Sequence, residues 1–306
     1  MGDGEWAFIE WVRQRTGTET FPSVTLGVGD DCAAIRFGDG QVLITTDMLL
    51  DGTHFDSRHH RPEQIGRKAM ACSLSDLAAM AARPLGALVA VALKTGGGME
   101  YAQRLFNGMK EIADRFACPI VGGDTTGWPA PAAVCVTMLG ECPRGRPPIR
   151  RSGAQVQDLI YVTGPLGGSI LGRHLTFEPR IELADRLADR LKLHALMDIS
   201  DGLAIDLWRI CLASGVGALL DESLLESVIS EDARGLSAKD GVSPLDHALH
   251  DGEDFELLVV MPEQEVPSEL TESLRVVGRI VPEDLHLRRT NGRIEPIEPR
   301  GYEHSL

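Results

Sequence analysis

Aspartate recurs in this chain at the ends of apolar runs, where a folded protein can least easily leave a charge. Val42-Leu43-Ile44 leads to Thr45-Thr46-Asp47, Pro119-Ile120-Val121 to Gly122-Gly123-Asp124-Thr125-Thr126, and Ala195-Leu196-Met197 to Asp198-Ile199-Ser200-Asp201-Gly202. Gly29-Asp30-Asp31 and Ser73-Leu74-Ser75-Asp76 have the same character. A short apolar run reads as a strand, and a strand delivers its terminal carboxylate to the edge of a core. Carboxylates gathered there repel one another by roughly 4 kcal/mol per pair at about 4 Å and an effective dielectric near 20. A fold that collects them needs cations. Hard oxygen donors of this kind suit magnesium, completed by waters and phosphate oxygens. One such motif would be an ordinary turn or helix cap; five, each beside Gly, Ser or Thr, point to a shared metal-binding edge.

The 306 residues suffice for two domains with cores of their own. Lys and Arg number 30 against 45 Asp and Glu, a net charge of −15. That field repels a nucleic-acid backbone. No apolar stretch approaches the length of a membrane span, and the acidic start Met1-Gly2-Asp3-Gly4-Glu5 is unlike a signal peptide. The expectation is a cytoplasmic protein with neither a membrane nor a nucleic acid as partner. The six cysteines include no Cys-x-x-Cys pair and sit mostly among aliphatic residues, as reduced small hydrophobes. His59-His60, before Arg61-Pro62, reads as a solvated turn and not a zinc site.

Periodicity predicts a helix over 5–15, then strands over 25–28, 33–37 and 42–45, with a hairpin turn at Gly38-Asp39-Gly40. Pro62 opens a long helix over 63–82, closed by Pro84. Asp76 falls on or beside the apolar face of that helix, where a carboxylate needs a partner. A strand over 86–93, a helix over 99–116 and strands over 119–121 and 132–139 complete an α+β domain, residues 1–141. The Pro- and Arg-rich stretch 142–148 is the linker. A second, α/β domain, residues 149–306, carries strands over 159–162, 218–220 and 255–261 and helices over 181–191 and 203–213.

The usual phosphate loops are missing. There is no Gly-x-x-x-x-Gly-Lys-Ser/Thr, and Gly96-Gly97-Gly98 runs into Met99-Glu100, with no lysine for a phosphate. The segment 164–169, between a strand and a helix, either offers amides to an anion or is an ordinary turn. Nucleotide binding would then fall to the metal edge and one or two arginines, which is enough for phosphoryl transfer. Arg151, just past the linker, is the best-placed cation, its alternative role being a solvated linker charge.

Taken in order, Gly-Asp-Asp-Cys-Ala, Thr-Thr-Asp-x-x-x-x-Gly-Thr-His-Phe, Ser-Leu-Ser-Asp-Leu-Ala-Ala-Met, Gly-Gly-Asp-Thr-Thr, Arg-Ser-Gly-Ala, Asp-Ile-Ser-Asp-Gly-Leu and Gly-Glu-Asp-Phe-Glu-Leu resemble the thiamine-monophosphate kinase family, within the superfamily of aminoimidazole ribonucleotide synthetase. The resemblance spans nearly the whole chain. It implies transfer of the ATP γ-phosphoryl group to thiamine monophosphate, with several Mg2+ ions as cofactors and ATP as co-substrate. It also implies a homodimer whose N-terminal domains form an intersubunit β-barrel. The implied metal ligands are Asp31, Thr45, Thr46, Asp47, Asp76, Asp124, Asp198 and Asp201, with Asp47, Asp76 and Asp124 catalytic. Gly123, Asp124, Arg151 and Ser200 would contact the nucleotide, and His54, Glu253 and Tyr302 the thiamine phosphate.

The chain departs from the family between 164 and 180, which is short and reads His174-Leu175-Thr176-Phe177-Glu178-Pro179-Arg180, and at Phe255, where the family has tyrosine. Two alternatives stand beside this reading: another ATP-using member of the superfamily, or an inactive dimeric binding protein of the same fold. The synthetase of purine biosynthesis is disfavoured by Gly52-Thr53-His54-Phe55, and an inactive protein by the intact carboxylates.

Overall fold

The structure, a computed structural model, describes residues 5–16, 21–96 and 98–304. Helix α1 (Glu5–Thr16) precedes β1 (Val24–Leu26), β2 (Ala33–Phe37) and β3 (Gly40–Leu50). Next come α2 (Pro62–Ala79), β4 (Arg83–Lys94), α3 (Gly98–Arg115), β5 (Ile120–Trp128) and β6 (Ala133–Glu141). The strands form a six-stranded sheet ordered β1-β2-β3-β6-β4-β5. Its pairs are antiparallel except β4 with β5.

The second half holds β7 (Leu159–Val162), α4 (Ile181–Arg190), β8 (Ala195–Ile199), α5 (Leu203–Ser214) and β9 (Gly217–Asp221). It continues with the single-turn α6 (Glu222–Leu225), α7 (Glu231–Asp240), α8 (Pro244–His250), β10 (Glu256–Met261) and the short α9 (Ser268–Thr271). It closes with β11 (Arg275–Val281), β12 (Leu285–Arg288) and β13 (Ile294–Pro296). These strands form a seven-stranded sheet ordered β13-β12-β9-β11-β7-β10-β8.

Several boundaries differ from the sequence expectation, among them β3, which runs on through Asp47 to Leu50 instead of ending at Thr45. The β5 strand continues through Gly-Gly-Asp-Thr-Thr, a composition that reads as a turn, because the glycines let it lie close against β4. A Cβ on Gly123 would stand 1.8 Å from the Val89 carbonyl oxygen. Helix α2 stops at Ala79, ahead of Ala81 with φ 52°, and Pro84 lies inside β4 instead of closing the helix. The first strand ends at Leu26, leaving Val28 to a single bridge with Asp30. Helices α7 and α8 and strands β11 to β13 had no counterpart in the sequence reading.

Helix α2 positions the site. It is buried on nearly every side, from Pro62 through Ala79. The first sheet and α3 cover it within its own half, and α4 and β8 of the second half cover the rest. Two glycines make the α3 contact possible: a Cβ on Gly66 would meet Leu105 O at 2.0 Å, and one on Gly108 would meet Glu63 O at 1.9 Å. The linker is also tied down. Arg146 donates to the Ala81 carbonyl at 2.7 Å and to Asp185 on α4 at 3.0 Å. Because the α2–α3 crossing leaves no room for a methyl group, Gly66→Ala is expected to cost about 1–3 kcal/mol in urea unfolding. Gly235, whose Cβ position is open, should accept alanine at no such cost.

Candidate active site

The second half of β3, the end of β8, the C-terminal turns of α2 and the segment before β2 converge on one group of carboxylates. Ligand oxygens of Asp31, Asp76 and Asp198 lie within 4.8 Å of one another. Hydroxyls from α2 and β3 fix the cluster. Ser75 donates to Asp198 at 2.6 Å, Ser73 donates to Asp47 at 2.5 Å, and Thr45 donates to Asp76 in a short bond. Arg151 binds Asp31 through Nη2 at 2.8 Å and Nε at 3.2 Å, so this linker-end cation faces the cluster and not solvent. Its backbone N–H donates to Asp30 at 2.7 Å.

Burial, then the neighbouring carboxylates Asp47, Asp198 and Asp31, pushes Asp76 well above the usual carboxylate range. Asp198 is raised in the same way, by burial and then by Asp31. Burial also raises Asp47, against the Ser73 hydrogen bond. Oxygen donors desolvated and mutually repelling in this way fit a hard divalent cation.

At the end of β8 the chain turns into α5 around Asp206. The Asp206 Oδ2 atom accepts from the N–H groups of Ser200, Asp201 and Gly202 at 3.1, 3.0 and 3.1 Å. Arg209 joins Asp206 at 2.7 Å to Asp201 at 2.5 Å. Burial and then Asp201 push Asp206 up to about 7. Asp206 and Arg209 were not anticipated from sequence, though a buried acid four residues past Gly202 on an apolar helix was a signal for them.

Strand register separates the remaining expected ligands. Thr45 and Asp47 face α2, whereas Thr46 pairs with Thr137 (Oγ1 to Oγ1 2.9 Å) on the opposite face of the sheet. Asp124 lies on that outer face too, in line with Ala90, Cys135 and Met48. The single chain therefore does not bring the side chains of Thr46 and Asp124 into the Asp31–Asp76–Asp198 group. The expectation of one shared edge fails for these two because strand neighbours alternate in facing. Gly123 and Asp124 instead border a groove of about 490 Å³ between α3 and the β4–β5 edge, with Leu105, Phe106, Met109 and Val121.

The three residues expected at the acceptor do come together. His54, Glu253 and Tyr302 line a cleft of about 620 Å³ with Asp47, Ser200 and Asp201. His54 accepts from the Leu50 N–H at Nδ1, at 3.0 Å. Burial, then Lys68 and His304, lowers its pKa, keeping the ring neutral. Glu253 has φ 64° and Phe255 φ 51°, conformations rare for side chains of this size. Their N–H groups bond to Ser200 O at 2.6 Å and Ile199 O at 2.8 Å. The Tyr302 N–H bonds to Asp201 O at 2.8 Å, and Gly301 presses so closely on Asp201 that a Cβ would stand 2.4 Å from its carbonyl oxygen.

The 164–169 segment proves an ordinary turn. Its Gly167 amide donates to both oxygens of Asp254, at 3.0 and 2.8 Å, and the Gly168 amide to Asp251 at 2.8 Å, so its donors already hold internal carboxylates. In the segment that departs from the family, Phe177 stacks on Phe255 at 4.0 Å and His174 is buried against Glu253. All six cysteines are free, five of them buried, and no described helix is long and apolar enough to cross a membrane.

The chain matches the AIR synthase related protein N-terminal domain over residues 29–142 and the corresponding C-terminal domain over residues 152–288. Its two halves are thus the two domains of that class. A thiamine-monophosphate kinase of Rhodopirellula baltica is 40% identical over 314 residues, covering 98% of this chain and 97% of that protein. One from Synechococcus elongatus is 34% identical, covering 90% of each. The solved structure of AaThiL complexed with AMPPCP and TMP matches with a TM-score of 0.85 at 27% identity, covering 99% of this chain and 97% of that one. The chain belongs to the thiamine-monophosphate kinase family.

A carboxyl whose pKa is raised by folding adds stability below its unfolded pKa and loses it as pH rises through the folded value. In chelator, the melting temperature should therefore fall between about pH 5 and about pH 8. Asp254, pushed to about 7 by burial, adds to that slope, as does Asp206. Magnesium acts only on its ligands, so its stabilisation should be larger near pH 8 than near pH 5. Calorimetry showing no response to magnesium at either pH would remove the cluster as a metal site.

Proposed function

We propose that this chain transfers the γ-phosphoryl group of ATP to the phosphate of thiamine monophosphate, giving thiamine diphosphate and ADP. The observation that carries this reading is the cleft in which His54, Glu253 and Tyr302, distant in sequence, meet beside Asp47 and Asp201. An acceptor held there would present its phosphate to the carboxylate edge. An oxygen of that phosphate attacks the γ-phosphorus, and the bond to the β-phosphate oxygen breaks.

Asp31, Asp47, Asp76, Asp198 and Asp201, with Thr45 and Thr46, are the proposed magnesium ligands. Magnesium bound there would neutralise phosphate oxygens and polarise the transferred group. The protein itself aligns the donor and acceptor and holds the carboxylates in place through the Ser73, Ser75 and Thr45 hydroxyls. Arg151, fixed against Asp31, and Ser200 are proposed to face the nucleotide phosphates. Gly123 is proposed to contact the nucleotide from the β5 edge, and Asp124, on the outer face, to contact it and serve as a further ligand. At the acceptor, the Glu253 carboxylate suits a cationic thiazolium, while neutral His54 and the Tyr302 ring suit its π faces.

A homodimer completes the reading. The outer face of the first sheet exposes Met48, Leu88 and Val121, and β5 is an open edge. Unpaired edges with apolar faces invite association, and pairing about a two-fold axis would close a barrel between subunits and cover Thr46 and Asp124. We place the division between domains at the 142–148 linker, residues 1–141 against 149–306, and the enzyme in the cytoplasm.

Two measurements check this. Asp76→Asn and Asp124→Asn should each lower kcat by at least about 100-fold, with little change in melting temperature in chelator. Tyr302→Ala should raise the KM for thiamine monophosphate about tenfold while leaving that for ATP within about twofold. Equal damage to both constants, or no turnover of thiamine monophosphate by the wild type, would sink the assignment. In light scattering, the protein should run at twice the chain mass; a stable monomer at micromolar concentration would defeat the dimer.

A further inference from the structure

Lys68 lies in the middle of α2 and is completely buried, one of the largest side chains in the described residues to be so. A buried ammonium is expensive unless its donors are all satisfied. An ammonium has three. Two go to the His54 carbonyl at 2.5 Å and Glu253 Oε1 at 2.5 Å, and the third faces His174 Nδ1 at 3.0 Å, an atom that lies equally close to Glu253 Oε2 and serves one of the two. His54 belongs to the loop after β3 in the first half, and Glu253 and His174 belong to the second. The amine thus clips together, at the floor of the cleft, two of the three residues proposed for the acceptor.

We infer that Lys68 is a positioning residue for the acceptor, fixing the Glu253 carboxylate and the His54 loop across the two halves in the arrangement that receives a thiamine ring. This rests on the function proposed above. Glu253 uses one oxygen on Lys68 and the other on His174, at 3.0 Å, and its backbone is held in the left-handed region. A carboxylate so engaged offers a cation a fixed negative field and few free lone pairs. It therefore suits an aromatic cation with no N–H on its charged ring better than it suits an ammonium donor. Burial drives Glu253 toward its neutral acid, while the His174 hydrogen bond and then Lys68 pull it back below the usual range.

Positioning and simple charge balance predict opposite signs. The Lys68 charge itself opposes a cationic ligand, so if the lysine only balanced charge, removing it would tighten the acceptor. If it positions, its loss frees the His54 loop and leaves a desolvated Glu253 that moves or takes up a proton. Acceptor binding then weakens. Lys68→Met in the full chain should raise the KM for thiamine monophosphate by at least about tenfold and leave that for ATP within about twofold. Adding Glu253→Gln should cost little more than either change alone, because both act through one contact. In thermal melts each single variant should fall below the wild type, and the double variant should recover part of the loss.

A lower or unchanged KM for thiamine monophosphate, an equal rise for ATP, or fully additive effects would overturn the proposal. Should Lys68→Met fail to fold, the double variant leaves no unpaired buried charge, and its KM must match that of Glu253→Gln alone. A wild type that does not use thiamine monophosphate would overturn the proposed function itself, a result distinct from any of these.

Discussion

Everything at this site hangs on a helix that is buried on nearly all sides and yet carries Lys68, Ser73, Ser75 and Asp76. An apolar helix in that position would pack with less penalty, since each buried polar group must find a partner or cost free energy. Here every one of them reaches out of α2 to another element of the fold. Ser73 and Asp76 reach β3, Ser75 reaches β8, and Lys68 reaches the loop after β3 and the segment before β10. The polar contacts join what the apolar core could only press together. The core itself is continuous across the two halves, since Leu74 and Leu77 of α2 share a cluster with Leu196 and Leu257 of the second sheet. Burial supplies the stability of that junction, and the polar pairs supply its register.

How much of this was legible in the chain depends on whether the information is local. Strand-end carboxylates are local, since an apolar run followed by Asp fixes both the strand and the place of the charge, and Asp198 lies where such a run leads, whereas β3 runs on past Asp47 to Leu50 and Asp76 belongs to a helix. Facing is also local in principle. Thr45 and Thr46 are adjacent, and alternation forbids both side chains from entering the α2 side of the sheet; treating the motif as a unit hid this. Asp124 required knowledge that β5 continues through two glycines, and only the close approach to β4 decides that. Lys68 was in plain view as well. It shares a helical stripe with Cys72 and Asp76 at spacings of four, as expected for one face of a helix. Two of its partners, however, lie 106 and 185 residues away in sequence, beyond any local pattern. Resemblance, not periodicity, singled out His54, Glu253 and Tyr302.

Strain gathers where the cleft needs rigidity. Glu253 and Phe255 both have positive φ, and such conformations persist only when the surroundings over-determine them. The surroundings do so here. Asp254, between them, is buried under two hydrogen bonds from the Gly167 amide and one from Arg173 at 3.0 Å. Glu253 and Phe255 return their N–H groups to the end of β8. The glycine-rich turn that could have cradled a phosphate thus anchors the acceptor loop instead. This separation of tasks explains how a chain without a phosphate loop can handle nucleotides. Its backbone amides hold the scaffold, and on the proposed function its carboxylates, through metal, would hold the phosphates.

The charge of the whole molecule fits that division. At −15 the protein repels both ATP and the acceptor phosphate at long range, and no lysine-rich loop offsets this. On the proposed function, divalent ions would act twice, relieving the repulsion within the cluster and carrying phosphate into it. Burial and mutual repulsion hold Asp76 and Asp198 above the usual carboxylate range, and a bound cation would favour their ionised form. Coupling of this kind follows from burying acids in excess of bases, whatever the rest of the fold does. Three cations are built into the site, Arg151 on Asp31, Arg209 on Asp201 and Asp206, and Lys68 on Glu253. Each is already paired with a carboxylate, so on the proposed function most of the positive charge that phosphate requires is left to the metal.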